Sequence, residues 1–214
     1  MVAASLATAV AFTLWPTLDL RAAALFWRPE AGFFLADSLY AELWYHGVTL
    51  VRNWVVYPAA AILLGWWALR RRLPLGIPPR AAVLVAGTLA LGSGLLVNAG
   101  LKEHWGRARP RDVARFGGER AFTPAFVPAD QCADNCSFVS GHSSFVFAFF
   151  SLALLARRRV RAIALVAALG AAAGLGRVMQ GAHFASDVLF SGVFLFLVAW
   201  GLHRLLYRGR EAEP

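Results

Sequence analysis

Six apolar segments, almost free of charged residues, recur along the whole chain and constrain its fold more than any other feature. They are residues 1–18, 53–69, 81–101, 135–156, 162–176 and 184–202. A helix needs about 20 apolar residues to cross a bilayer, with a range of roughly 17–25. Only 15% of the residues are charged, well below the share of about 25% in soluble domains. The pattern predicts an all-α polytopic membrane protein with six transmembrane helices, in a single domain spanning residues 1–214.

Basic residues are distributed unequally between the loops. The loops after the second and fourth segments and the C-terminal tail carry eleven basic residues and two acidic ones, and the rest of the chain carries ten of each. The eleven are Arg70, Arg71, Arg72, Arg80, Arg157, Arg158, Arg159, Arg161, Arg204, Arg208 and Arg210. Because Lys and Arg are enriched in cytoplasmic loops, we expect both termini in the cytoplasm and residues 102–134 and 177–183 outside. The net charge of +9 then reflects topology, and nucleic acid is not an expected partner.

Residues 19–52 lie between the first two segments and mix charges with aromatic side chains. The aromatic residues are Trp27, Phe33, Phe34, Tyr40, Trp44 and Tyr45. Amphipathic rings favour the head-group level of a bilayer. We therefore interpret this stretch as an interfacial segment that connects two helices. The alternative is that it guides a lipid head group toward a site.

Three polar clusters lie at the predicted outer ends of apolar segments. They are residues 102–110 (KEHWGRARP), 140–142 (SGH) and 177–187 (RVMQGAHFASD). Ionisable residues at membrane helices are costly, so they indicate function by default. All three clusters fall on the same predicted side of the membrane. That side was assigned from the arginine-rich loops and not from the clusters.

The first two clusters have the chemistry of an anion site. Lys102 and Arg109 are seven residues apart and would share one face if that stretch is helical. Arg offers a planar fork to phosphate oxygens, and Lys offers a point charge. Ser140 and Gly141 add a hydroxyl and backbone N–H groups that can form an anion-binding nest. The alternative for the first cluster is simple anchoring to lipid head groups.

The spacing of His183 and Asp187 suggests a histidine nucleophile. His183 and Asp187 are four residues apart, so they face each other on a helix. A carboxylate fixes the tautomer of an imidazole and stabilises charge on the ring. His142, beside the expected nest, is a candidate proton donor because histidine titrates near neutral pH. The alternative is that His183 is a structural histidine at the interface.

Together, the three clusters resemble the signature of the type 2 phosphatidic acid phosphatase (PAP2) superfamily, which includes bacterial lipid phosphatases and vanadium haloperoxidases. The matching residues are Lys102-x6-Arg109-Pro110, Ser140-Gly141-His142 and Arg177-x5-His183-x3-Asp187. Two positions depart from the common pattern. Val139 stands where many members have Pro, and Gly176 stands where many have Ser.

The resemblance implies a lipid phosphatase that needs no metal or other cofactor. His183 would attack phosphorus and form a phosphohistidine, Asp187 would orient it, and His142 would be the general acid. The phosphate would be held by Lys102, Arg109, Ser140, Gly141 and Arg177. The expected substrate is undecaprenyl diphosphate, phosphatidylglycerophosphate, phosphatidic acid or lipid A, at the periplasmic face of a bacterial inner membrane. The alternatives are a vanadium-haloperoxidase-like enzyme and a non-catalytic lipid-binding or transport protein on the same fold.

Cys132 and Cys136 both fall in the predicted outer loop. An oxidising periplasm permits a disulfide between them, and two thiols alone fall short of a zinc site. The bridge would close a short loop with a small entropic gain, so we expect a local effect on the backbone before Ser140. The stretch from Cys132 to Gly141 is similar to a subgroup of bacterial PAP2 members near the lipid A phosphatases.

Overall fold

The computed structural model describes residues 10–58 and 78–208, together with Ala7 and Gly65. The chain is mostly helical, at 68%, as the apolar segments predicted. Its described elements are helix α1 (Thr17–Ala24), strands β1 (Trp27–Arg28) and β2 (Gly32–Phe33), and helices α2 (Leu39–Leu50), α3 (Pro79–Gly87), α4 (Lys102–His104), α5 (Gly141–Phe147), α6 (Phe150–Leu155), α7 (Arg159–Met179) and α8 (Ala185–Tyr207). Two π-helical stretches, Val51–Val56 and Thr88–Leu101, continue α2 and α3.

Three of the described helical stretches are long and apolar enough to cross a bilayer. They are Pro79–His104, Arg159–Met179 and Ala185–Tyr207, with 26, 21 and 23 residues and a mean hydropathy of 1.8 each. They correspond to the third, fifth and sixth apolar segments of the sequence.

The other three predicted spans have different outcomes. Of segments 1–18 and 53–69, residues 1–6, 8, 9, 59–64 and 66–69 lie outside the described residues. Segment 135–156 forms a shorter apolar helical stretch, Gly141–Leu155. The residues before Gly141 form a loop instead, because their backbone is bonded to the first polar cluster: the amide of Cys136 donates to the carbonyl of Lys102 at 2.8 Å, and that of Ser137 to the carbonyl of Arg107 at 2.9 Å.

Helix α7 packs closely against its neighbours through small residues. A Cβ added at Gly170 would lie 2.2 Å from the ring of Phe147 on α5, and one at Gly174 would lie 2.1 Å from a methyl group of Val188 on α8. Small residues allow helices in lipid to approach at such distances. The Ala- and Gly-rich fifth segment therefore forms the centre of the helical core.

Residues 19–52 pack against this core as well as linking two segments. Strands β1 and β2 form a short antiparallel hairpin. Ser38 caps α2, and the hydroxyl of Tyr40 donates to the carbonyl of Ala172 on α7 at 2.7 Å. A Cβ added at Gly176 would lie 3.5 Å from α2, so a larger residue there would press on this helix. Through these contacts the segment brings its own side chains to the site described below.

The first polar cluster does not form one helix, and the prediction that Lys102 and Arg109 share a helical face is wrong. Helix α4 ends at His104, and Gly106 then turns the chain with a φ of +70°. A Cβ at Gly106 would lie 1.6 Å from the carbonyl oxygen of Ala129. The turn brings Arg109 back toward the site through a loop, and only glycine fits there.

We expect Gly106→Ala to lower the melting temperature of the detergent-solubilised protein strongly, because it combines a left-handed backbone with a clash. Gly32→Ala is the matched control: its φ is +63°, and no atom of the described chain lies within 4 Å of the added Cβ. The control should lose only the free energy of unfolding that a left-handed backbone costs an alanine, on the order of 1–3 kcal/mol. Equal shifts in melting temperature for the two variants would contradict the close approach of Gly106 to Ala129.

Candidate active site

The three polar clusters meet at one end of the helical core. The amide of Ser140 donates to the carbonyl of Asp187 at 3.2 Å. The ammonium group of Lys102 donates to the carbonyl of Cys136 at 3.2 Å, and a Cβ at Gly141 would lie 3.6 Å from the side chain of Lys102. Residues separated by about 80 positions in the sequence therefore share one site, as the motif analysis expected.

His183 is buried at the centre of this site, with 2% of its surface exposed. Its Nδ1 lies 2.7 Å from the carbonyl oxygen of Ser137. Since a carbonyl only accepts, Nδ1 carries the hydrogen, and in the neutral ring the lone pair resides on Nε2. This is the tautomer in which Nε2 can act as a nucleophile.

The charge state of His183 also suits that role. Burial lowers the pKa of His183 to about 3; the Asp187 carboxylate raises it, and Lys102 and Arg177 lower it further. The ring is therefore neutral at physiological pH. The enclosure among cations that keeps the lone pair unprotonated also places positive charge where a phosphate would approach.

This lowered pKa predicts a loss of stability in acid. In the unfolded chain the imidazole has a pKa of about 6.5. Below that pH the unfolded chain therefore binds a proton that His183 in the folded protein does not bind. Each pH unit between about 6.5 and the folded pKa then costs about 1.4 kcal/mol. We expect the melting temperature of the wild type to fall more steeply between pH 6.5 and 4.5 than that of His183→Gln. Parallel curves would contradict a buried neutral His183.

Asp187 acts on His183 less directly than the sequence suggested. Its nearest oxygen is 3.8 Å from Nδ1 of His183, because His183 precedes α8 and is not on it. That oxygen instead accepts from the hydroxyl of Ser137 at 2.5 Å and from the amide of Phe184 at 2.8 Å. Ser137 thus bridges the pair: its hydroxyl binds Asp187, and its carbonyl fixes the imidazole.

Lys102 and Arg109 both reach the loop before α5. Lys102 is 7% exposed and binds the carbonyl of Cys136, and a terminal nitrogen of Arg109 donates to the carbonyl of Asn135 at 2.5 Å. Cys132 and Cys136 are joined by a disulfide, with their Cα atoms 5.7 Å apart. Two cations and a covalent bridge therefore hold the backbone that leads to Ser137.

Arg177 lies in the last turn of α7 and is oriented by the segment of residues 19–52. Its guanidinium stacks over the ring of Tyr45, 4.8 Å from the centroid, and it donates to the side chain of Gln180. Its Nε is buried and has no hydrogen-bond partner within residues 10–58 and 78–208. A buried donor without an acceptor costs free energy, and a phosphate oxygen is a suitable acceptor.

The Ser-Gly-His cluster starts α5, and one amide of the expected nest, that of Ser140, is not available to an anion. Ser140 is the N-cap of α5, and its own amide is already bonded to Asp187. His142 stacks on Tyr45 with ring centroids 4.8 Å apart, and its Nε2 lies 3.2 Å from the hydroxyl of Thr49. The segment of residues 19–52 therefore orients both His142 and Arg177 through Tyr45.

Sequence reasoning missed several residues of this site. They are Asp19, Tyr45, Thr49, Arg107, Ser137 and Ser186. Arg107 lies inside the first cluster and could have been singled out as a third cation. Asp19 has no local signal, since its importance comes from residues far away in the sequence.

Residues 81–211 match the sequence profile of the PAP2 superfamily. The chain belongs to this superfamily. The match confirms the resemblance drawn from the three clusters, and it covers all of them. The segment that carries Asp19, Tyr45 and Thr49 lies before the matched residues.

Curated relatives of this PAP2 chain include lipid A phosphatases. It is 33% identical to a lipid A 4'-phosphatase of Francisella tularensis subsp. novicida (strain U112), over 94% of this chain and 91% of that protein. It is 44% identical to a lipid A 4'-phosphatase of Rhizobium leguminosarum, over 48% of this chain and 45% of that protein. A lipid A 1-phosphatase of Rhizobium etli is 40% identical over 52% of this chain and 47% of its own length. No solved structure matches the chain significantly.

Proposed function

We propose that this protein is a metal-independent lipid phosphatase that removes a phosphate from lipid A, with the 4'-phosphate as the preferred position. The observation that carries the chemistry is the buried neutral His183, whose Nδ1–H is held by Ser137 beside Lys102 and Arg177. The substrate is supported by the relative from Francisella, a lipid A 4'-phosphatase that aligns with nearly the whole chain.

In the first step, Nε2 of His183 attacks phosphorus and the bond from phosphorus to the lipid oxygen breaks. His142 must be protonated in the substrate complex, where the negative charge of the bound phosphate favours the imidazolium form, and it gives this proton to the departing oxygen. The phosphorylated ring keeps its Nδ1 hydrogen and is positively charged, and the carbonyl of Ser137 and the carboxylate of Asp187 at 3.8 Å stabilise it. Lys102, Arg109 and Arg177 stabilise the phosphoryl oxygens, whose charge dominates this class of reaction.

In the second step, water attacks phosphorus and the bond to His183 breaks. His142, now unprotonated, takes the proton of the water, so phosphate leaves and both histidines return to their starting states. Dividing the reaction in this way replaces one difficult displacement with two easier ones.

The membrane arrangement of the proposal has six spans, cytoplasmic termini and a periplasmic site. Support comes from α8, which carries Asp187 in its first turn and Arg204 in its last. A helix of 23 residues is about 35 Å long, enough to separate these ends by a bilayer. If the arginine-rich ends are cytoplasmic, the site faces the periplasm, at the depth of lipid phosphates.

The test is phosphate release by the purified protein in EDTA from lipid A species that carry only a 4'-phosphate or only a 1-phosphate. Undecaprenyl diphosphate, phosphatidylglycerophosphate and phosphatidic acid are the comparison substrates, and His183→Ala is the control. We expect His183-dependent release, fastest from the 4'-phosphate species. Faster release from a comparison lipid would overturn the substrate while keeping the phosphatase. Release that EDTA abolishes would overturn metal independence.

A further inference from the structure

We propose that Asp19 and Arg107 are positioning residues of this site: they fix Asp187 and, through Ser137, the nucleophile His183. Neither residue touches the proposed reacting atoms. The proposal rests on the proposed function only where turnover is its readout, and the first measurement below needs no substrate.

Arg107 is fully buried, with 0% of its surface exposed, and every nitrogen of its guanidinium is used. One terminal nitrogen donates to Asp187 at 2.5 Å and to the hydroxyl of Ser186 at 2.9 Å. The other donates to Asp19 at 2.8 Å, and Nε donates to the carbonyl of Thr123 at 2.9 Å. The planar fork therefore has one orientation, which lysine cannot reproduce.

Asp19 holds this fork from the opposite side. It is 1% exposed, and its Oδ1 accepts from the amide of Ser186 at 2.9 Å. Its Oδ2, which accepts from Arg107, also accepts from the hydroxyl of Ser186 at 2.5 Å. Since Ser186 lies in the first turn of α8, Asp19 caps that helix from a segment 167 residues earlier, where a negative charge is favourable.

These contacts form a continuous chain to the nucleophile. Asp19 fixes Arg107, and Arg107 fixes one oxygen of Asp187. The other oxygen of Asp187 accepts from the hydroxyl of Ser137, and the carbonyl of Ser137 accepts from Nδ1 of His183. Ser137 is itself fully buried, so a displaced Asp187 would move the carbonyl that sets the His183 tautomer.

The charges explain why two carboxylates accompany one arginine. Burial raises the pKa of Asp19, and Arg107 lowers it. With both carboxylates ionised, the cluster of Asp19, Asp187 and Arg107 carries one net negative charge beside a ring that becomes positive on phosphorylation. Removing one member of a buried charge group leaves the others uncompensated. Asp19 lies outside the residues that match the superfamily profile, so this part of the chain of contacts belongs to the N-terminal segment.

The first measurement is the ring ¹⁵N NMR spectrum of His183 in histidine-labelled protein, assigned with His183→Gln. We expect a single Nδ1–H tautomer in the wild type and a mixture of tautomers in Asp19→Asn and Arg107→Lys. Asp112→Asn, at an exposed carboxylate, should keep the wild-type spectrum. An unchanged His183 spectrum in folded Asp19→Asn would overturn the proposal, whether or not the protein hydrolyses any lipid tested.

The second measurement is a double-mutant cycle on lipid phosphate release. We expect Asp19→Asn to lower kcat by about 10- to 100-fold with little change in KM, the range seen when residues that orient metal-binding histidines are replaced. If Asp19 acts through Arg107, the double variant with Arg107→Lys should be no slower than Arg107→Lys alone. If the fold-losses of the two single variants multiplied in the double variant, Asp19 would not act through Arg107, and the proposal would be overturned. It would also be overturned if the losses in rate vanished when rates are expressed per mole of folded protein. Asp19→Asn retains a carbonyl acceptor for Ser186 and is the milder variant if Arg107→Lys fails to fold.

Discussion

Replacing His183 with alanine is expected to lower lipid phosphate release by on the order of 10⁴- to 10⁶-fold, the loss seen when a nucleophile is removed. The imidazole of His183 is the only protein group in the proposed mechanism that bonds to phosphorus. Its removal should therefore abolish both turnover and the covalent intermediate. The measurement is phosphate release under saturating lipid, with the amount of folded protein determined by size-exclusion chromatography in detergent.

His104→Ala is the matched control for this variant. His104 ends α4, two residues after Lys102, and is exposed, so its loss should leave turnover near the wild-type rate. If folded His183→Ala retained substantial activity, another residue would have to be the nucleophile. If His104→Ala were equally inactive, the loss would reflect general damage to the protein and would not support the assignment.

Replacing His142 with alanine is expected to lower release from lipid substrates by about 10²- to 10⁴-fold, the usual contribution of a general acid or base. The residue lies between Tyr45 and Thr49, which fix its ring. Its proposed roles are proton donation to the lipid oxygen and activation of water. The measurement is the rate of each step under pre-steady-state conditions.

An aryl phosphate lipid analogue separates the two roles of His142. A phenolate leaves without a proton, so the first step should be nearly normal in His142→Ala, while attack by water stays slow. We expect a burst of about one phenolate per site followed by slow turnover. Absence of a burst, with the first step still slow, would contradict the assignment of His142 as the general acid.

The sequence predicted the parts of the site that depend on residue type and spacing. Lys102, Arg109, His142, Arg177, His183 and Asp187 all lie at one end of the helical core, because each follows or begins an apolar helix on the same predicted side. Helical periodicity was the weaker guide. It placed Arg109 and His183 on helices, whereas a turn at Gly106 and the start of α8 at Ala185 leave both in loops.

The residues that the sequence did not reveal are those whose roles depend on long-range contacts. In the sequence, Ser137 is a serine beside a cysteine with no motif around it. In the fold, its hydroxyl donates to Asp187 and its carbonyl accepts from His183. Asp19 is a single acidic residue after an apolar run until it reaches the start of α8. Tyr45 is one of several interfacial aromatics until it stacks with both His142 and Arg177. Periodicity and motif spacing carry no information about such pairings.

The most direct test of the phosphohistidine mechanism is to trap the intermediate in His142→Ala, where its hydrolysis should be slow. Protein reacted with the aryl phosphate lipid would be quenched in alkali, which preserves a phosphorus–nitrogen bond, and the modified peptide mapped by mass spectrometry. The account predicts close to one phosphate per site on His183, and none in the double variant with His183→Ala. Phosphate on a different residue, or a single turnover that releases phosphate with no protein-bound intermediate, would contradict it.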